Sequence, residues 1–289
     1  MQNNKVELNK VQMEEFKEYL YERENAEATI QKYLTDIRTF FRFLGDDMII
    51  NKKRLLSYKE WLKDSYMVNS ANSILAALNQ FLEFLGLAVW RIKRFKMQKV
   101  LFLDEDRELT EAEYRKLLKT ALADGKYQLA LCMETIASTG IRISELPAFT
   151  VEAVKKNFIE VTNKGKYRRI YLPKEIRKKL LHYAEEQKIE SGPIFVTRNG
   201  KPKSRSNIWR EMKALKEKAG IDGRKIFPHN LRHLFARVYY RATKDLAGLG
   251  DLLGHSSLNI TRIYTSNTGK IYQTQLDNIE QSNIVRNTQ

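Results

Sequence analysis

Three of the four histidines stand close together, His229 and His233 in PHNLRHLFA (228–236) and His255 in LLGHSS (252–257). Arg232 lies between the first two, and Tyr264 follows His255 by nine residues in TRIYTS. Far upstream, STGIRISEL (138–146) places Arg142 at the end of an apolar helix, with Ser144 and Glu145 beside it. A further pair, Lys164 and Lys166, sits in the turn NKGKY (163–167). Two guanidiniums with histidines form a clamp for phosphate, because the planar fork of arginine matches two phosphate oxygens and stays charged. A phosphodiester gains negative charge on those oxygens as it nears its transition state. Fixed cations placed there stabilise that state selectively, which is what catalysis requires. A lysine on a hairpin can protonate a leaving oxygen. A tyrosine hydroxyl, with an ordinary pKa of about 10, can attack once a cationic pocket or a base assists it.

Taken singly, each residue also has a plainer reading. Arg142 could be a structural arginine paired with Glu145, His255 a histidine at a helix end, and Tyr264 one packing tyrosine among 14. Lys164 and Lys166 could be solvated turn residues. The i, i+4 spacing of His229 and His233 suits a metal, but no carboxylate or cysteine nearby completes a ligand set. No cluster of acidic residues suggests a two-metal route.

These residues need elements to position them. The apolar spacing predicts helices over 11–21, 29–44, 53–64 and 71–85, an N-terminal helical bundle whose aromatic stripes read as core rather than as a platform for bases. Thr110 with Glu113 forms a capping box that opens a helix to about Leu122. A buried helix follows over 127–138. Strands over 158–162 and 168–172 flank the NKGKY turn, where Gly165 is free to take positive φ. Helices are expected over 174–187, 207–218, 229–240, 244–253 and 258–265. The fold class is therefore mainly α with one small antiparallel sheet. The expected division is a helical domain over 1–97, a linker over 98–109 and a second domain over 110–289 that carries these residues.

Composition sets the partner class. The 289 residues carry 51 basic and 35 acidic groups, a net charge of +16. The excess is +4 over residues 1–100 and +12 over 101–289, interleaved with apolar residues rather than gathered in a tail. That balance points to a polyanion, nucleic acid before an acidic membrane surface. Trp90–Lys99 resembles a membrane-surface helix only weakly. One cysteine, Cys132, rules out a disulfide scaffold. No apolar run reaches the ~20 residues needed to span a bilayer, and no apolar leader opens the sequence. A cytoplasmic protein is expected.

With these motifs in order, the sequence resembles the tyrosine recombinases, the family of phage-type integrases and Xer-like recombinases. TGIRISEL looks like the first arginine box, NKGKYRRIYLP like the lysine hairpin, HNLRHLFA like the His-x-x-Arg box, LLGHSS like the second histidine box and SLNITRIYT like the nucleophile box. TIQKYLTDIRTFFRFLG resembles the family's SAM-like core-binding domain less specifically. The resemblance implies six catalytic residues: Arg142, Lys164, His229, Arg232, His255 and Tyr264, with Lys166 a substitute for Lys164. It implies attack by Tyr264 to give a 3′-phosphotyrosyl link, with no cofactor, metal or ATP. It also implies double-stranded DNA with inverted half-sites, a homo-tetramer on two DNA sites, an accessory protein in some systems, a bacterial nucleoid setting and a tail over 266–289 that docks on a neighbour. A frayed terminus is the plain alternative for that tail. His233 has no assigned role, and Pro147 is expected to end the preceding helix early. The other readings are a catalytically silent architectural protein of the same fold, a type IB topoisomerase, and a metal hydrolase built on His229, His233 and His255.

Overall fold

The computed structural model describes residues 5–9, 11–96, 105–163, 166–254 and 261. The chain divides into two compact units, Met1–Lys99 and Val100–Gln289.

In the first unit, α1 (Val11–Glu22), α2 (Glu27–Leu44), α3 (Lys52–Ser65) and α4 (Val68–Phe84) are the four helices the apolar spacing predicts. The stripe of α2 is buried at Ile30, Leu34, Ile37, Phe40, Phe41 and Leu44. It meets Phe16 of α1 and Phe81 of α4, whose rings cross edge-on at 5.1 Å. Each such side chain contributes about 1.5–3 kcal/mol when fully buried, so these aromatics are core. Asn51 opens α3 by accepting a hydrogen bond from the Arg54 N–H. A two-residue antiparallel pair, β1 (Val6–Glu7) with β2 (Ile49–Ile50), was not legible from alternation.

Tyr58 of α3 is fully buried against Phe40, and its hydroxyl has no hydrogen-bond partner among the described residues. Burial pushes its phenol well above the ordinary range. A desolvated, unpaired hydroxyl costs about 1–3 kcal/mol. Tyr58→Phe is therefore expected to keep or raise stability by about 1 kcal/mol. Urea unfolding checks this, and a loss of that size would show that the hydroxyl is bonded.

The second unit is built around α6 (Tyr127–Thr139), buried along most of its length from Leu129 to Thr139. It packs between α5 (Glu111–Ala123), α8 (Lys174–Glu186), α9 (Arg205–Lys213) and α11 (Pro228–Thr243). The Thr110–Glu113 capping box is present at the start of α5. Cys132 is buried in α6, which raises its thiol pKa. A 3₁₀ turn over Ile143–Ala148 and the short α7 (Val151–Lys155) lead into the hairpin of β3 (Phe158–Asn163) and β4 (Lys166–Tyr171). The hairpin pairs Phe158 with Tyr171 through to Asn163 with Lys166. The strands thus run closer together than the expected five-residue turn, leaving 164–165 as the connection.

Two expected helices differ. The one over 207–218 begins at Arg205 under a Ser204–Asn207 capping box, and breaks before α10 (Lys216–Ala219). Lys244 does not open the last described helix. It caps α11 in the left-handed conformation, and Asp245 then caps α12 (Leu246–Leu253). The expected helix over 258–265 and the tail over 266–289 lie outside the described residues, apart from the buried Thr261. Among the described residues, no helix is long and apolar enough to cross a membrane.

Candidate active site

Gly140 ends α6 in the left-handed conformation, φ +64°. Pro147 does not end that helix. It sits inside the following 3₁₀ turn. Arg142 stands two residues beyond Gly140 on extended backbone. Its main-chain N–H donates to Glu145 Oε2 at 2.8 Å and its Nη1 to Glu145 Oε1 at 3.2 Å. Its Nη2 reaches across 112 residues to the Gly254 carbonyl at 3.2 Å. The pairing with Glu145 that the sequence suggested is therefore present. The side chain still keeps 30% exposure, so it can meet a ligand.

Arg232 rises from α11, which Pro228 opens at its first turn. Its guanidinium is almost wholly buried. Nη1 donates to the Gly140 carbonyl at 2.7 Å and Nη2 to the Leu253 carbonyl at 2.8 Å. His229, one turn earlier, is exposed, with its ring 4.6 Å from that of His233. Partial desolvation, then the positive fields of Arg232 and Arg142, hold the His229 pKa below the ordinary value. His229 is thus favoured in its neutral form, in which one ring nitrogen can accept a proton. A cleft of about 430 Å³ opens beside it, between Ile143, Arg205, Trp209, Phe227 and Pro228. Among the described residues, no three His, Cys, Asp or Glu side chains converge as a metal site.

The structure thus brings Arg142, His229 and Arg232 to one region around the end of α12. Lys164, His255 and Tyr264 lie outside the described residues. Lys164 follows directly on β3, and His255 directly on Gly254. One site residue escaped the sequence reading. Glu145, offered by the sequence only as a partner of Arg142, is buried at 6% exposure, and Arg168 of β4 donates its Nη2 to Glu145 Oε2 at 2.5 Å. The alternation Arg168, Ile170, Leu172 marks the inward face of β4 and could have flagged Arg168.

Both units match solved DNA-recombination proteins in fold. A dimer of lambda integrase bound to a core site superposes with a TM-score of 0.73, at 22% identity, over 90% of this chain and 95% of that chain. A lambda integrase tetramer bound to a Holliday junction gives 0.71 at 21% identity, over 88% of this chain and 76% of that chain. Tyrosine recombinase XerA of Pyrococcus furiosus is 30% identical over 287 residues, 95% of each chain. Profiles of the phage integrase N-terminal SAM-like domain and of the phage integrase family match residues 13–88 and 107–270. The chain belongs to the phage integrase family, the tyrosine recombinases. It is a site-specific recombinase, an enzyme that cleaves and religates DNA.

Proposed function

We propose that Arg142, Lys164, His229, Arg232, His255 and Tyr264 carry this reaction in an Xer-like enzyme of two domains, divided near residues 98–109. The observation that carries the proposal is the convergence of Arg142 and Arg232 on the adjacent carbonyls of Gly254 and Leu253, immediately before His255. Arg142 and Arg232 hold the non-bridging oxygens of the scissile phosphate, and His255 supports them. The Tyr264 hydroxyl attacks phosphorus, its proton passing toward neutral His229. The P–O5′ bond breaks as the new O–P bond forms, and Lys164 protonates the leaving 5′-oxygen. A 5′-hydroxyl of a partner strand reverses the step. One phosphodiester is exchanged for another, so the bond energy is retained and no ATP is required.

The substrate is double-stranded DNA with inverted half-sites, held by four copies on two sites, as lambda integrase is held on a Holliday junction. Cytoplasmic action on the nucleoid follows from that substrate. Tail exchange over 266–289 and an accessory protein belong to the same reading. The net charge of +16 supports backbone binding that falls steeply with salt.

Covalent trapping tests the mechanism. The protein is incubated with a nicked duplex of the presumed site, taken from the DNA beside its gene, with and without chelator. Denaturing gels are expected to show a slow protein–DNA band that survives chelator and vanishes in Tyr264→Phe. A band persisting in Tyr264→Phe moves the nucleophile elsewhere. Tight binding to that duplex without a band favours the architectural alternative.

A further inference from the structure

The end of α12 has five carbonyls to satisfy, and their partners account for all of them. The Gly254 N–H serves Gly250 and Asp251. The next three, Leu252, Leu253 and Gly254, each accept from a different arginine: Arg168, Arg232 and Arg142. Cations at a helix C-terminus interact favourably with its dipole, and the last carbonyls of a helix otherwise lack partners. Arg232 and Arg142 are already assigned to the phosphate. Arg168 is not. Its side chain is 12% exposed and lies between Glu145 and the end of α12. Its Nη1 is spent on Leu252 and its Nη2 on Glu145, whose Oε2 also accepts the Arg142 N–H. Gly254 is shaped to this contact: at φ +62°, a Cβ there would fall 2.6 Å from Arg168 Cδ.

One guanidinium therefore joins three pieces of chain. They are β4 of the Lys164 hairpin, the 3₁₀ turn that carries Arg142, and the helix end that leads to His255. We propose that Arg168 is a positioning residue for strand cleavage, holding the lysine hairpin and the Arg142–Glu145 pair in register with the end of α12. This rests on the assignment of Lys164 and Arg142 above. Lysine in its place keeps the charge but loses the fork that spans a carboxylate and a carbonyl. A misplacement of about 1 Å at a reacting group costs roughly 100-fold in rate.

The test compares wild type with Arg168→Gln, Arg168→Lys and Arg169→Gln on the same nicked duplex. Single-turnover cleavage, DNA affinity and urea unfolding are measured for each. A second duplex carries sulfur in place of the bridging 5′-oxygen, whose leaving thiolate needs no proton. Arg169 is half exposed on the opposite face of β4, paired with Glu160, and serves as the control. Arg168→Gln is expected to cleave about 100-fold more slowly, with affinity within about threefold of wild type. On the sulfur duplex it is expected to recover at least about tenfold, because part of its defect lies in delivering the lysine proton. Arg168→Lys is expected to recover only partly on the ordinary duplex. Wild-type cleavage by Arg168→Gln overturns the proposal. So does an equal defect on both duplexes in all Arg168 variants, or a defect tracking lost folded protein, either of which marks a general structural role. Absence of a Tyr264-dependent band from wild type overturns the underlying assignment, and the proposal with it.

Discussion

Arg232→Lys is expected to lose about 100- to 1000-fold in single-turnover cleavage, the range seen when one preorganised donor to a developing oxyanion is removed. The charge is kept, so long-range attraction to DNA changes little. What disappears is geometry. The guanidinium bonds Gly140 and Leu253 through different nitrogens, 2.7 and 2.8 Å away, and so fixes the plane that the proposed assignment turns to the phosphate. A lysine ammonium is a single point on a flexible stem and reproduces neither spacing nor plane. Arg232→Ala is expected to do more than slow cleavage. It deprives two buried carbonyls of these donors, each at about 1–3 kcal/mol, and opens a cavity. A loss of about 4 kcal/mol is expected in urea unfolding. Wild-type stability in the alanine variant would mean that the carbonyls find water or other donors and that the side chain is not structural.

Gly140→Ala is the second large effect. An alanine at φ +64° pays about 1–2 kcal/mol for the left-handed conformation alone. Its Cβ would also sit 2.4 and 2.6 Å from the Phe235 ring and 2.9 Å from Leu253 Cδ2. Phe235 belongs to α11 and Leu253 to α12, so the clash pushes apart two helices that supply the site. A total cost of about 3–4 kcal/mol is expected, with a cleavage defect beyond it, because the Gly140 carbonyl is a partner of Arg232. Gly125→Ala is the internal control. Its φ is +68°, and nothing lies within 4 Å of the added Cβ. Only the conformational cost of about 1–2 kcal/mol is expected there. Urea midpoints of the two variants separate strain from overlap, and equal losses would remove the packing argument.

The helices that carry long apolar stripes were legible. In α2 the residues spaced at three and four are the buried ones, and the Thr110–Glu113 box marks the start of α5. Elements set by other forces were not. The 3₁₀ turn at Ile143–Ala148 has no apolar period to announce it, and its shape follows from the Arg142–Glu145 capping contact. The segment 214–215 breaks a run of good helix formers, a tertiary override of local propensity. At the site, the resemblance named Arg142, His229 and Arg232, and the structure gathers them at one helix end. Arg168 stayed hidden because one of its two partners is a main-chain oxygen. Glu145 was noted only as company for Arg142, since its burial and its second partner are properties of the folded chain.

The three arginine acceptors on α12 are all backbone atoms, and this makes their arrangement blind to side-chain identity. Leu252 and Leu253 could change to other residues that pack without removing a single acceptor. Comparison of residue identities would therefore register little dependence between this turn and the arginines it holds. Length is another matter. Inserting one residue within α12 turns everything beyond it by about 100° and carries all three oxygens off their guanidiniums together. Drift in this segment is tolerated by substitution and resisted in helical phase.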